Sequence, residues 1–441
     1  MSSLSNAAGF PRNSGRPRVM LYCQYLSGMG HLIRSAEIAR ALARRSEVHF
    51  VNGGPPIAGF RLPDGVHRVS LPPVWLEDGR LRADGGREIE RVKQTRRRCL
   101  FAAFDRVQPD CVITEFFPFG RALLSFELSP WMAHIRRRRP SSLIASSVRE
   151  TIGTDNLVEQ APGIASRLNR YFDMVLYHSD PRLQAFETSF PLPERVRCPV
   201  HHTGLVAAAA QSSRNGSLDL AEPFVLATVG GGRLGYELLE CMIAVARCLE
   251  KEQPHTFYLF SGPFMPSERY ERLRAQAGDL ERVHVERFTP DIGQYMARAA
   301  LSVSLAGYNT TMSLLRARAP ALVVPMGHNA IDHEQLQRAT RLHELGLATM
   351  VVPEELAPER MIALVCGHLK RPRERAIDLD LDGAERTAAI VLAAIEARAA
   401  GARAIGAGAM GIGRPSPDAL AGLRPPSADR GRKGEVACSG S

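Results

Sequence analysis

Three stretches of the chain hold residue types whose spacing suits chemistry. In Ser27-Gly28-Met29-Gly30-His31, small residues at the mouth of a turn leave an imidazole, which titrates near neutrality, free to approach a substrate hydroxyl. His31 is the best candidate for proton transfer, set against the bland role of bonding its own loop. In Gly230-Gly231-Gly232-Arg233, consecutive glycines let backbone N–H groups wrap a diphosphate. In Gly307-Tyr308-Asn309-Thr310, Gly307 is expected to supply backbone freedom at a sharp turn, and Asn309, Thr310 and Thr311 are good helix-capping types. A helix opening there would offer free N–H groups to phosphate. The same stretch would serve equally as a structural βαβα unit, since fold does not fix function.

Each stretch follows a strand pattern. Arg18–Gln24 reads as a strand, Leu32, Ile38, Ala39 and Leu42 recur at helical spacing, and Val48–Val51 is the next strand, which makes a βαβ unit. Phe224–Val229 and Leu301–Leu305 lead into the other two turns. Ala321–Pro325 is a further buried-strand-like run, and a helix is expected from near Asp332. Open parallel sheets bind ligands outside the carboxyl ends of their strands. Two more charged residues fall there. Glu115 ends the strand Asp110–Glu115 and could orient an acceptor, assist His31 or cap the next helix. Arg149 follows the strand Ser142–Ser147 and could anchor a phosphate or carboxylate, or form a plain salt bridge. A nicotinamide cofactor does not fit. The first loop has one glycine spacing of the dinucleotide fingerprint, and neither Asn52 nor Ser261-Gly262 supplies the ribose-binding acid.

The chain has 441 residues, 45% hydrophobic and 23% charged, enough for two domains with sizeable cores. Its net charge of +10 comes largely from Arg clusters at 96–98 and 136–139 with few interleaved aromatics, so nucleic acid is not an expected partner. Solvated helix faces account for the clusters, with attraction to an anionic membrane or a phosphorylated substrate the lesser reading. Eight cysteines without a C-x-x-C pair indicate reduced thiols. There is no apolar signal-peptide core near the first residue, and no apolar run approaches the roughly 18 residues of a membrane span. A soluble, cytoplasmic protein is the expectation. His333-Glu334-Gln335-Leu336-Gln337 has Gln where the second zinc ligand of H-E-x-x-H must stand, and Asp378–Gly383 opens like a calcium loop that reaches Ala389 at its Glu position. His201-His202 lacks a third ligand at metal spacing. No metal is expected.

Taken together, the Gly28-Met29-Gly30-His31 loop, the Gly230–Gly232 loop, the G-x-x-T turn from Gly307 to Thr310 and the Glu334-Gln335 pair resemble GT-B glycosyltransferases. The resemblance is greatest to the MurG-type cell-wall N-acetylglucosaminyltransferases and to a bacterial group of predicted glycosyltransferases. The T-E-x-F-P-F-G-R and S-x-R-[DE] patterns around Glu115 and Arg149 are similar to the latter. The likeness covers roughly residues 18–395. It implies an α/β GT-B fold, two Rossmann-like parallel-sheet domains facing across a cleft. It also implies metal-independent transfer of a hexose or N-acetylhexosamine from a nucleotide-sugar, foremost a UDP-sugar, to an unidentified acceptor. His31 and Glu115 would be catalytic. Gly230, Gly231, Gly232, Arg233, Gly307, Asn309, Thr310, Glu334 and Gln335 would bind the donor, the last two reading sugar hydroxyls. Gly28, Gly30, Arg34 and Arg149 would lie on the acceptor or diphosphate side.

Two other chemistries stay open. Arg34 completes a G-x-G-H-x-x-R loop similar to that of nucleotide-sugar hydrolases of the same fold. Ser313 stands where the cell-wall enzymes carry a ribose-gripping Glu, and a hydroxyl cannot accept two ribose hydrogen bonds as a carboxylate does. That substitution suits a non-catalytic nucleotide-sugar binding protein.

The expected plan is an unordered tail at 1–16, an acceptor domain at 17–206, a small and polar linker at 207–222, a donor domain at 223–399 and a second tail at 400–441. No cofactor is expected. The implied partners are a nucleotide-sugar and a small-molecule or lipid-linked acceptor, with peripheral contact at the inner membrane face as a second expectation of location.

Overall fold

The computed structural model describes residues 15–26, 30–57, 60–77, 79–84, 88–152, 156–208, 219–326, 330–370 and 377–410, with nothing drawn from the side chains of 330–332 and 402–410. Gly28 lies outside the described residues.

The N-terminal half runs β1 (Arg18–Cys23), α1 (Gly30–Ala43), β2 (Glu47–Asn52), β3 (Val66–Ser70), a hairpin β4 (Val74–Glu77) and β5 (Arg80–Ala83), α2 (Ile89–Val107) and β6 (Cys111–Glu115). It continues through α3 (Ser125–Arg138), β7 (Leu143–Arg149), α4 (Leu157–Tyr171), β8 (Met174–His178), α5 (Phe186–Ser189) and β9 (Val200–His202). Seven strands form one parallel sheet in the order β3-β2-β1-β6-β7-β8-β9. β1 reads RVMLYC, apolar without alternation, and is buried along its whole length, as a sheet covered by helices on both faces requires.

The C-terminal half repeats the plan. It runs β10 (Phe224–Thr228), α6 (Tyr236–Leu249), β11 (Thr256–Phe260), α7 (Ser267–Ala277), β12 (Val283–Glu286), α8 (Ile292–Arg298) and β13 (Leu301–Leu305). Then come α9 (Tyr308–Ala317), β14 (Ala321–Val324), α10 (Ala330–Glu344), β15 (Thr349–Met350), α11 (Pro358–Leu369) and α12 (Gly383–Met410). Its six parallel strands follow the order β12-β11-β10-β13-β14-β15. In both sheets the strand order reverses beside the first strand, between β1 and β6 and between β10 and β13. Doubly wound sheets hold ligands at such switch points.

Backbone hydrogen bonds and apolar packing tie the halves together. Leu205 N–H donates to the Asp380 carbonyl at 2.8 Å and Gly383 N–H to the Leu205 carbonyl at 3.0 Å. Leu183, Leu205, Tyr308, Met312, Leu315 and Leu342 pack into one buried cluster drawn from both halves. The last helix differs from the sequence expectation in two respects. Its Ala388, Val391 and Ile395 pack with Val19, Leu21 and Phe50 of the N-terminal half, because these small and branched residues recur on one face. The helix also continues beyond Ala399 to Met410.

Candidate active site

On the N-terminal side, β1 and β6 are neighbours, with Tyr22 in register with Thr114. The loop after β1 therefore delivers His31, in the first turn of α1, to the end of β6, where Glu115 is the last residue. His31 Nδ1 lies 2.5 Å from Glu115 Oε1, with the His31 side chain 17% exposed and that of Glu115 1%. Arg34 Nη2 donates to the same oxygen at 2.6 Å, and Arg121 Nη2 to Oε2 at 3.2 Å. Burial alone would push the Glu115 carboxyl up. The neighbouring His31, Arg121 and Arg34 outweigh it and hold the carboxyl well below the usual carboxylate range. An ionised carboxylate only accepts, so the proton between the two sits on Nδ1 and leaves the Nε2 lone pair free. Burial pulls His31 down to about 3 against the Glu115 charge, with Arg121 and Arg149 adding to the fall. The ring is thus a neutral base at physiological pH. Of the three partners open to Glu115, it is His31 that it contacts.

On the C-terminal side, β10 and β13 are neighbours, with Thr228 in register with Ser304. The Gly-rich loop after β10 and the opening of α9 after β13 therefore meet. A Cβ on Gly230 (φ 64°) would stand 3.3 Å from Thr310 Oγ1. Gly232 (φ 86°) is pressed against the next loop, and its Cβ would fall 2.1 Å from the Ser261 carbonyl. That closeness is why glycine recurs here. Arg233 stacks over Phe264, its guanidinium carbon 5.4 Å from the ring centroid.

Two expectations for α9 are corrected. Gly307 has φ −66° and ψ 145°, a conformation open to any residue, so backbone freedom is not its reason. Its missing side chain instead keeps open space at the helix N-terminus, since an added Cβ would meet nothing within 4 Å. The helix also starts at Tyr308 with Gly307 as N-cap and no side-chain cap. Thr311 does not cap it but bonds back to the Gly307 and Tyr308 carbonyls at 3.0 and 2.8 Å. Among the described residues, no hydrogen bond takes up the N–H groups of Tyr308, Asn309 and Thr310.

The two sides face each other. A Cβ on Gly30 would lie 3.8 Å from Asn309 Nδ2, and Tyr308 has Arg34 and Arg338 against its ring at 5.4 and 5.5 Å. Glu334 and Gln335, both buried, sit in α10, and Gln335 Nε2 donates to the Met326 carbonyl at 3.1 Å. Glu334, expected on the donor, and Arg149, expected on the acceptor or diphosphate side, are in contact, with Arg149 Nη2 donating to Glu334 Oε1. Burial raises the Glu334 carboxyl, with Arg149 and Arg338 pulling the other way.

Beside that pair, Arg338 Nε donates to Glu150 Oε1 at 2.7 Å and its Nη1 to the Ala306 carbonyl at 2.8 Å. Arg338, Arg121 and Tyr308 were not singled out as site residues from sequence. The charge pattern could have found one of them: Arg149-Glu150 in one half is mirrored by Glu334 and Arg338, one helical turn apart, in the other.

Solved structures share this architecture. A calicheamicin glycosyltransferase superposes with a TM-score of 0.56 at 17% identity, covering 87% of this chain and 98% of the other. MurG of Acinetobacter baumannii gives 0.51 at 16%, covering 81% and 91%. The fold is GT-B. The α/β GT-B expectation, two parallel-sheet domains facing across a cleft, therefore holds. The fold is not tied to one reaction, since a UDP-GlcNAc 2-epimerase of Methanocaldococcus jannaschii gives 0.55 at 10% identity over 85% of this chain and 99% of that one.

Residues 225–377 match the glycosyltransferase family 28 C-terminal domain. That segment holds every residue of the Gly230 loop, α9 and α10 described above. Curated relatives include UDP-N-acetylglucosamine–N-acetylmuramyl-(pentapeptide) pyrophosphoryl-undecaprenol N-acetylglucosamine transferases of several bacteria. That of Agrobacterium fabrum is 26% identical over 151 residues, 34% of this chain and 39% of the relative. That of Methylorubrum extorquens is 26% identical over 212 residues, 45% and 57%. The chain thus spans between two fifths and three fifths of the length of these relatives.

Proposed function

We propose that the protein is a glycosyltransferase that moves a hexose or N-acetylhexosamine from a UDP-sugar to an acceptor hydroxyl. The observation that carries the reading is the His31–Glu115 contact, made through Nδ1 in the turn of α1 whose Gly30 stands against Asn309 in the first turn of α9. The acceptor hydroxyl gives its proton to His31 Nε2 as its oxygen attacks the anomeric carbon. Glu115 holds the tautomer and stabilises the imidazolium that forms. The bond from the anomeric carbon to the nucleotide diphosphate breaks, and the negative charge passes to the diphosphate. N–H groups of the Gly230–Gly232 loop and of the first turn of α9 receive that charge, together with the Thr310 hydroxyl and Arg233. A helix terminus does here what a metal does elsewhere, so EDTA is expected to leave the rate unchanged. Glu334 and Gln335 bind sugar hydroxyls, and Asn309 faces the acceptor loop at Gly30. The names of the relatives support UDP-N-acetylglucosamine as the first donor to try.

A location in the cytoplasm or at the inner face of the membrane suits such an enzyme. Among the described residues no helix is long and apolar enough to cross a membrane.

The test is a thermal-shift panel of UDP, TDP, GDP, ADP and UDP-N-acetylglucosamine. A ligand at about a hundred times its Kd adds roughly 2.7 kcal/mol of stability. A uridine nucleotide should stabilise the protein, and Thr310→Ala should remove the shift. If no nucleotide shifts it, the donor assignment falls. Hydrolysis remains the second reading, because Arg34 matches the hydrolase loop. It predicts release of nucleotide from donor alone at a rate that no acceptor raises.

A further inference from the structure

On the N-terminal side of the cleft two guanidiniums bind the Glu115 carboxylate and a third, that of Arg149, stands beside them. Arg34 and Arg121 both donate to Glu115, their side chains 1% and 11% exposed. Arg149, 13% exposed, shares the ring of Phe116 with Arg121, the two guanidinium carbons lying 5.7 and 6.0 Å from its centroid. The His31 ring lies 5.9 Å from the same centroid. Among the described residues, Nε and Nη1 of Arg34, Nε of Arg121 and Nε of Arg149 are buried without a hydrogen-bond partner. From the opposite half, Glu334 alone is bonded to Arg149 among the described residues.

With Arg338 and its partner Glu150 beside Glu334, four buried guanidiniums (Arg34, Arg121, Arg149, Arg338) face three carboxylates (Glu115, Glu150, Glu334), and a buried excess of guanidinium is costly unless an anion completes it. The planar arginine fork suits an oxyanion with two oxygens to share. The loop that carries Arg121 is also held under tension. Phe116 (φ 62°) and Arg121 (φ 64°) both take the left-handed backbone region, which bulky residues keep only where the surrounding structure fixes it.

We propose that Arg121 and Arg149 form an oxyanion subsite beside His31 that takes a phosphate or carboxylate group carried by the acceptor. What the group is attached to rests on the transferase reading; the subsite itself rests on the arginine pair. Because Glu334 holds Arg149, an entering anion must take that guanidinium over, and the charge on Glu334 opposes its binding.

The test titrates inorganic phosphate and acetate into the full-length protein by calorimetry, with and without saturating UDP. An anion should bind with UDP present, and the tighter of the two probes tells a phosphate carrier from a carboxylate carrier. Arg121→Met or Arg149→Met should weaken binding at least about tenfold, whereas Arg272→Met, an exposed arginine of equal charge, should not. Glu334→Gln should tighten it.

Displacement of the anion by UDP would overturn the proposal, since the pair would then serve the donor diphosphate. Unchanged affinity in both arginine variants would also overturn it. Should those variants not fold, Glu334→Gln decides: no tightening contradicts the subsite. Failure of UDP itself to bind counts against the donor reading alone, because the arginine variants are compared without it.

Discussion

His31 Nδ1 lies 2.5 Å from Oε1 of Glu115, and the same oxygen takes Arg34 at 2.6 Å. One carboxylate thus fixes the tautomer of the base and neutralises a guanidinium that is almost wholly buried. Glu115→Gln should therefore do two kinds of damage. It leaves Arg34 without a counter-charge, which costs about 3–5 kcal/mol for a broken buried pair, and it lowers turnover by about 10²–10⁴-fold through the misplaced imidazole. Urea unfolding and nucleotide release read the two separately. A variant as stable and as active as the parent would show that the pair is incidental.

The pH dependence of stability follows from the same contact. His31 titrates at about 3 in the folded protein against an ordinary 6.5, so the folded state binds fewer protons. Its contribution is complete above about 6.5 and is lost as pH falls towards 3. Glu115 also lies below its ordinary 4.5 and adds a loss of the same sign below that value. The urea midpoint should fall from pH 6.5 to pH 4, less steeply in His31→Asn. Equal slopes would contradict the burial of a neutral His31.

Two glycines separate backbone need from ligand space. At Gly232, with φ 86° and a Cβ position 2.1 Å from the Ser261 carbonyl, Gly232→Ala should destabilise by about 1–3 kcal/mol or more. At Gly307, where a Cβ meets nothing within 4 Å, Gly307→Ala should change stability by less than about 0.5 kcal/mol yet weaken nucleotide binding by filling the space over α9. Chemical denaturation and nucleotide titration of the two variants check the contrast.

The cross-cleft pair of Arg338 and Glu150 is 1% and 2% exposed. Arg338→Met should cost about 3–5 kcal/mol, because Glu150 is left charged and buried. Adding Glu150→Gln should restore part of that loss. A double-mutant cycle with no coupling would place the two charges in water rather than in contact.

These particulars show what sequence could and could not disclose. Gly-rich turns after apolar runs mark strand ends locally, so the Gly230 loop, the turn before α9 and Glu115 could be placed on the ligand side of their sheets from a few neighbouring residues. His31 was legible for the same reason. The partners were not. Glu115 and Arg34 are 81 positions apart, and Arg338 and Glu150 are 188 apart, so only the fold brings them together. The positive φ of Phe116 has no local signal either, since aromatic residues rarely adopt it. Gly307 misled for the opposite reason. A glycine suggests an unusual backbone, and here the backbone is ordinary and the space beside it is what matters.

His31 is expected to act on substrate that the rest of the cleft holds, and His31→Ala separates the two roles. UDP affinity and UDP release from UDP-N-acetylglucosamine should be measured on the same preparation. UDP binding should stay within about twofold of the parent and release should slow by about 10²-fold or more, the usual loss for a general base. Release at the parental rate with binding intact would contradict it.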